Sequence, residues 1–312
     1  RHLHPNVICY SAAISACEKG GRWHEALGVL RDMSRRQVDP NTVTCSAAIS
    51  ACAAGGLWRE AQDLLLDMGR RALAPDVIAY SAAIRACDRG GRWQDALALL
   101  PEMRRRDVRP NAVSYTAAMG ACETAGRWHD ARAILAEMRG ARAPPDVRAY
   151  SAAASACKTC GRWQEAFGII LEAQQEQVRP DVIVYNAAIS ACAKGEQWQA
   201  ALDVLREAGR QRCHPDVVSF NAAISACETR GQWHEALVLL ADMDQREVLP
   251  GVMTFNAVIS ACEKGRRWKE AIGMLPEMRR RQLVPNVVSY NAAISACEKH
   301  GEWPEARSGE PQ

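Results

Sequence analysis

The stretch Val77–Asn111, VIAYSAAIRACDRGGRWQDALALLPEMRRRDVRPN, decides the fold. Pro75-Asp76 stands just before its apolar opening, where a carboxylate caps the free amides of a starting helix. A first helix is expected through Tyr80-Ser81-Ala82-Ala83-Ile84-Arg85-Ala86-Cys87, ended and turned by Gly90-Gly91. A second helix is expected to open near Trp93. Its Trp93, Ala96, Leu97, Leu100 and Met103 fall at helical spacing and form one apolar stripe. Arg104-Arg105-Arg106 sets positive charge at the negative end of that helix dipole, and Pro110 stops the unit. The unit is a helical hairpin with one face too apolar to stand alone.

The same unit recurs along the chain. Tryptophans stand at 23, 58, 93, 128, 163, 198, 233, 268 and 303, each 35 residues after the last, and there are no others. Prolines keep the beat from Pro5 to Pro285, and cysteines from Cys17 to Cys297. A hairpin repeated at fixed period buries its apolar face only by stacking on its neighbours. The expected fold is all-α, a right-handed superhelical α-solenoid of stacked antiparallel helical hairpins. One array is expected over residues 1–312, with about nine repeats starting near Val7 and the last one truncated. The chain opens Arg1-His2-Leu3-His4 and closes Ser308-Gly309-Glu310-Pro311-Gln312, and is expected to be a fragment of a longer array.

Side-chain size assigns the walls. The first helices are rich in small residues, as in Ala12-Ala13-Ile14-Ser15-Ala16-Cys17, which let backbones approach closely, so they should form the inner wall. The longer side chains of the second helices should form the outer wall. The tryptophans belong to that wall, and aromatics such as Tyr80, Tyr115 and Phe220 should point into the hairpins. Pro101 and Pro276 lie inside second helices, where kinks are expected.

Net charge is only +3, so polyanion binding would have to come from charge placement. Nine of the 13 cysteines hold one repeat position beside alanine, which suits small, reduced, buried side chains rather than disulfides. No apolar stretch approaches the length of a membrane span. Cys157-Lys158-Thr159-Cys160 is a lone C-x-x-C with no second pair at zinc spacing. His24-Glu25 and His234-Glu235 lack the second histidine of a metalloprotease helix. The P-C-x-x-C that a zinc deaminase pairs with its H-x-E, a phosphate loop and a nucleophile elbow are missing too. The sequence therefore predicts no catalytic residues, no metal, no cofactor, no membrane contact and no small-molecule substrate. The chain is not expected to be an enzyme.

The pattern V-x-x-Y-[ST/N]-A-A-I-x-A-C…G-x-W-x-x-A-L…M…P-[DN], held at 35 residues in eight complete units, resembles the pentatricopeptide repeat of the uniform-length class. The resemblance implies binding of single-stranded RNA, one nucleotide per repeat, amino end toward the 5′ end. It implies that the fifth and last residues of each unit read the base. The pairs are Ser11 with Asn41, Ser46 with Asp76, Ser81 with Asn111, and Thr116 with Asp146. They continue with Ser151 and Asp181, Asn186 and Asp216, Asn221 and Gly251, and Asn256 and Asn286, leaving Asn291 without its partner. In that family serine or threonine at the fifth position favours purines, and asparagine favours pyrimidines. Aspartate at the last position favours G or U, and asparagine favours A or C. The implied target is 5′-A-G-A-G-G-U-N-C-3′, with U also allowed last and near indifference at the seventh base, because Gly251 has no side chain.

The second residue of each unit would pack against the bases: Ile8, Val43, Ile78, Val113, Arg148, Ile183, Val218, Met253 and Val288. Lys19, Arg89, Lys194, Lys264 and Lys299, near the ends of first helices, could neutralise phosphates. The rail is incomplete, because Ala54, Thr124, Thr159 and Thr229 hold the same place in other units. The implied setting is RNA processing, stability or translation in a chloroplast or mitochondrion, with other RNA-processing proteins as further partners. Two plainer readings stand beside it. Asp or Asn after proline is also an ordinary helix cap, and a helical-repeat groove also suits an extended peptide, which would make the chain a protein-binding scaffold.

Overall fold

The computed structural model describes residues 6–141 and 143–299. Two compact units divide the chain, Arg1–Ala156 and Cys157–Gln312. In the first lie α1 (Val7–Lys19), α2 (Trp23–Arg35), α3 (Thr42–Gly55), α4 (Trp58–Arg70), α5 (Val77–Arg89), α6 (Trp93–Arg105), α7 (Ala112–Ala125) and α8 (Trp128–Gly140). The division falls inside α9 (Val147–Thr159). The second unit continues with α10 (Trp163–Gln175), α11 (Val182–Lys194), α12 (Trp198–Arg210), α13 (Val217–Thr229), α14 (Trp233–Gln245), α15 (Val252–Lys264), α16 (Trp268–Arg280) and α17 (Val287–Glu298). Among the described residues there is no strand. Trp303 and the end of the ninth repeat lie outside the described residues.

Among the described residues, the first eight repeats each carry the two helices their sequence encodes. Eight first helices start under an Asn or Asp side chain, from Asn6 at α1 to Asn286 at α17, as where Asp76 accepts from the Ala79 amide at 2.8 Å. The first helix closes where Gly91 takes φ +68°, a left-handed turn that costs glycine nothing. That turn lets the Arg92 amide reach back to the Cys87 carbonyl at 2.8 Å, and a tryptophan then opens the second helix. Where glycine is missing from the turn, Glu196 and Arg266 adopt the same positive φ.

Within the first unit, α1, α3, α5 and α7 pack in succession, and α11, α13, α15 and α17 do the same in the second. Within the first unit α2, α4, α6 and α8 dock on their own first helices, as α12, α14 and α16 do in the second. Helices α2, α4, α6, α10, α12, α14 and α16 also dock on the first helix that follows. Small side chains allow this. Ala86, Ala121, Ala191, Ala226 and Ala261 hold one repeat position, and all are buried. Tyr80, Tyr115, Tyr150, Tyr185, Phe220 and Phe255 fill the hairpin interiors as expected, whereas Tyr290 is 37% exposed. Its hydroxyl accepts from Arg279 at 2.8 Å.

Helices α6 and α16 run on to Arg105 and Arg280 with Pro101 and Pro276 inside them, so neither proline ends its helix. Both rings lie on the exposed face, where water can take the carbonyl that has lost its donor. The repeat cysteines from Cys52 to Cys297 are buried, and Cys17, in the first repeat, is half-buried.

Candidate nucleic-acid interface

The last residue of a repeat is the cap of the next first helix, so its side chain is held by backbone before anything else touches it. Asn41, Asp76, Asn111, Asp146, Asp181, Asp216 and Asn286 each accept from the amide three residues on, at 2.8–3.0 Å. The plain capping reading is therefore correct as far as it goes. Capping uses one side-chain oxygen of each of these residues. Gly251 has no such group, and its own amide donates to Thr254 Oγ1 at 3.1 Å.

The structure brings several fifth residues onto these caps. Ser46 donates to Asp76 Oδ1 at 3.1 Å, Asn186 Nδ2 to Asp216 Oδ1 at 3.1 Å, and Asn256 Nδ2 to Asn286 Oδ1 at 3.3 Å. Ser11 and Ser81 meet their caps through a third side chain. Ser11 shares a hydrogen bond with Thr44 Oγ1 at 2.7 Å, and Thr44 donates to Asn41 Oδ1 at 2.7 Å. Ser81 shares one with Ser114 Oγ at 2.8 Å, and Ser114 donates to Asn111 Oδ1 at 3.0 Å. Thr116 turns back to the Ala112 carbonyl at 2.7 Å, while Asp146 caps α9. Ser151 donates to the Val147 carbonyl at 2.8 Å; its sequence partner Asp181 belongs to the other unit. Asn291 is exposed.

Thr44, Ser114, Ser219, Thr254 and Ser289 form a group that sequence reasoning missed. They stand two residues before the fifth residue of their own repeat, and all are buried. The signal was present, because a hydroxyl at a buried helical position needs a hydrogen-bond partner. Ser219 donates toward Asn186 Oδ1 at 2.5 Å, Thr254 to Asn221 Oδ1 at 2.7 Å, and Ser289 to Asn256 Oδ1 at 2.5 Å. For Asp216, burial works to raise the pKa, but the bonds from the Ser219 amide, Asn186 and the Ser219 hydroxyl outweigh it. The carboxyl is held below its ordinary range and is ionised at neutral pH.

Beside the polar pairs runs an apolar row. Ile8, Val43, Ile78, Val113, Ile183, Val218, Met253 and Val288 are between 52% and 77% exposed, and Arg148 is exposed at the same repeat position. A single exposed valine needs no explanation. Four such side chains in each unit hold one repeat position and are left out of a core that has room for tyrosine.

The cations are less free than the sequence suggests. Lys264 Nζ lies 3.3 Å from Glu228, which also accepts from Ser260 at 2.8 Å. Lys299 Nζ lies 2.7 Å from Glu263, which also accepts from Ser295 at 2.6 Å. Burial works upward on Glu263, but the bonds from Lys299 and Ser295 prevail, holding its carboxyl below the ordinary range. Arg89 donates to the Ala53 and Ala54 carbonyls, and Lys194 donates to the Thr159 carbonyl at 3.4 Å. Lys19 ends α1 and is exposed. The eight described tryptophans are half-buried at the starts of second helices. Arg92, Arg127 and Arg267 lie over the rings of Trp58, Trp93 and Trp233 at 4.3–4.5 Å. Those rings serve hairpin-to-hairpin packing, not the polar face.

The PPR repeat family model matches residues 5–54, 40–89, 75–123, 215–263 and 250–299. A pentatricopeptide repeat domain model matches residues 168–230, and a PPR repeat model matches 113–142. No curated protein matches the chain. Among solved structures, the crystal structure of the pentatricopeptide repeat protein PPR10 from maize superposes with a TM-score of 0.62 at 23% identity, covering 97% of this chain and 48% of that one. PPR10 in complex with an 18-nt psaJ RNA element gives 0.45 at 19% identity, covering 98% and 53%. The PPR domain of Arabidopsis thaliana protein-only RNase P 1 in complex with tRNA gives 0.42 at 15% identity, covering 71% and 95%. The chain spans about half the length of the PPR10 chains it matches. The chain shares the helical-repeat fold of PPR10.

Proposed function

The chain belongs to the pentatricopeptide repeat family, and from that premise we propose that it binds single-stranded RNA, one nucleotide per repeat. The carrying observation is the exposed apolar residue at one position of the repeat, from Ile8 to Val288, set beside fifth residues that reach the helix caps, as Ser46 reaches Asp76. Apolar side chains of this size can wedge between unstacked bases, while the fifth and last residues read the base edge. The proposed target is 5′-A-G-A-G-G-U-N-C-3′, with the amino end toward the 5′ end. Acting without catalysis, the array would hold one RNA stretch extended, protecting it or exposing a neighbouring site. Its proposed setting is RNA processing, stability or translation in a chloroplast or mitochondrion. One continuous array over both compact units is part of the proposal.

The replacement Asn186→Ser tests the reading. It converts the sixth pair to serine with aspartate, the combination in which Ser46 already reaches Asp76 at 3.1 Å. Preference at the sixth base should move from U to G, with discrimination of about 1–3 kcal/mol by analogy with bidentate base contacts. Binding isotherms on two RNAs differing only at that base measure it. If both affinities stay as in the wild type, the assigned pairs do not read RNA.

The lysine clamps lead to a second expectation. Replacing Glu228 and Glu263 by glutamine should release Lys264 and Lys299, since an exposed ion pair contributes little stability of its own. Affinity should rise severalfold, and the slope of log K against log salt should steepen by about 0.7 for each freed cation. An unchanged slope would remove these two lysines from the phosphate contacts.

A further inference from the structure

The arginines that end α2, α4 and α6 form a second cationic surface, apart from the row near the ends of the first helices. Arg35, Arg70 and Arg105 hold one repeat position in three successive hairpins of the first unit, and all are exposed. We propose that they bind the phosphate backbone of RNA lying outside the read stretch. The inference rests on the RNA binding proposed above.

A cation in the last turn of a helix ordinarily answers the helix dipole. Here the next residue already does so. Arg36, Arg71 and Arg106 fold back onto Asp32, Asp67 and Glu102 at 3.0, 2.8 and 3.2 Å. Asp39, in the loop after α2, also lies toward Arg71, at 3.9 Å. With those carboxylates taken, Arg35, Arg70 and Arg105 make no hydrogen bond or ion pair among the described residues.

The second unit treats the same position differently. Arg210 and Arg280 lie 3.5 and 2.9 Å from Glu207 and Glu277. Gln175 and Gln245 stand there in α10 and α14, which form with no basic residue in their last turns. That unit holds 18 basic residues against 20 acidic ones, whereas the first holds 21 against 16. The helix end does not require an arginine at this place, so the three unpaired ones are surplus to the fold.

Their position selects the partner. Arg105 ends α6, and a short loop leads from it to Asn111, the cap of α7, so the unpaired cations share one edge of the hairpins with the base-reading caps. Successive helix ends adjoin along that edge. The Arg106 guanidinium lies 3.3 Å from where a Cβ would stand on Gly69 of α4, and Arg71 reaches toward Asp39 after α2. A row of guanidinium forks suits successive phosphates, whose oxygens accept paired N–H bonds. A membrane surface would call for apolar side chains to insert as well. Among the described residues of this unit's second helices, Leu66 alone is large, aliphatic and exposed.

The test compares two RNAs on the full chain: the proposed target alone, and the same target extended at both ends by oligouridine. Wild type should bind the longer RNA severalfold more tightly at low salt. The slope of log K against log salt should be steeper on it by about 2, at about 0.7 for each of three cations. Arg35→Gln, Arg70→Gln and Arg105→Gln together should abolish that difference and leave the short RNA bound as before. Glutamine is compatible with the fold at this position, as Gln175 and Gln245 show. Lysine at all three places should retain the steeper slope. If wild type binds both RNAs alike, the inference falls and the RNA-binding function stands; if it binds neither, the function itself falls. An advantage of the longer RNA that survives in the glutamine variant would overturn the inference, and so would an equal loss on both RNAs, since net charge alone would then be at work. Loss of binding to phosphatidylglycerol vesicles in that variant, with both RNAs bound as in wild type, would assign the edge to a membrane surface instead.

Discussion

Raising the pH from 8 to 11 is expected to lower the melting temperature by roughly ten degrees, a loss on the order of a few kcal/mol for units of this size. The cause is the column of buried thiols. Cys52, Cys87, Cys122, Cys192, Cys227 and Cys262 have pKa values pushed up to about 12 from the ordinary 9.0, burial being the largest cause in each. A thiol whose pKa rises on folding stabilises the fold fully below the unfolded value, and that contribution is lost as pH climbs toward the folded value. The window is therefore about 9 to about 12. Tyr80, also pushed up to about 12 chiefly by burial, acts in the same direction. Melting curves of Cys87→Ala with Cys122→Ala, taken across that window, separate the thiols from other alkaline titrations. The double variant should be less stable at pH 8 but should lose less between pH 8 and pH 11. Parallel losses in both proteins would mean that the thiols are not the linked groups. At neutral pH the same burial keeps these thiols protonated and so unreactive.

Much of this was legible because the chain repeats its own instructions. Trp93, Gly91 and Asp76 each predict a local event, and local events survive stacking unchanged: a second helix begins, a left-handed turn forms, an amide is capped. The second residue of each repeat was also legible, since an apolar side chain just after a cap lies on the outside of the first turn. The pattern reports a period of 35, however, and many side-chain contacts between hairpins do not keep it. Thr254 meets Asn221 from 33 residues away, and Lys264 meets Glu228 from 36 residues away. Those offsets depend on how far one first helix is rotated and shifted against the next. No single repeat encodes that quantity. The same reason hid the carboxylates on Lys264 and Lys299 while leaving the lysines themselves easy to find. It also explains why a buried Thr254 passed for an ordinary residue of the first turn. The 35-residue period runs without a break through the repeat at Val147, inside which the two compact units divide, although that repeat carries Arg148 where the others are apolar.

Gly265→Ala and Gly28→Ala are expected to move stability in opposite directions. A Cβ at Gly265 would sit 2.5 Å from Cδ1 of Trp233 and 2.8 Å from the carbonyl oxygen of Gly231. Indole and backbone cannot both withdraw, because Arg267 lies over the same ring at 4.3 Å while its guanidinium holds Glu270 at 2.8 Å. The substitution should cost about 1–3 kcal/mol. Gly28 sits in the exposed interior of α2 with nothing within 4 Å of its would-be Cβ, so alanine there should gain about 0.5–1 kcal/mol. Thermal melts of the two variants at neutral pH measure the contrast. Equal and small shifts would mean that Trp233 is not wedged against the end of the following first helix. The wedge matters for function, because the tryptophan of one hairpin against the glycine of the next helps fix how closely successive first helices approach. Gly90 repeats the contact, with Trp58 Cδ1 at 2.5 Å. That approach bears on the distance from Thr254 Oγ1 to Asn221 Oδ1, 2.7 Å in this structure.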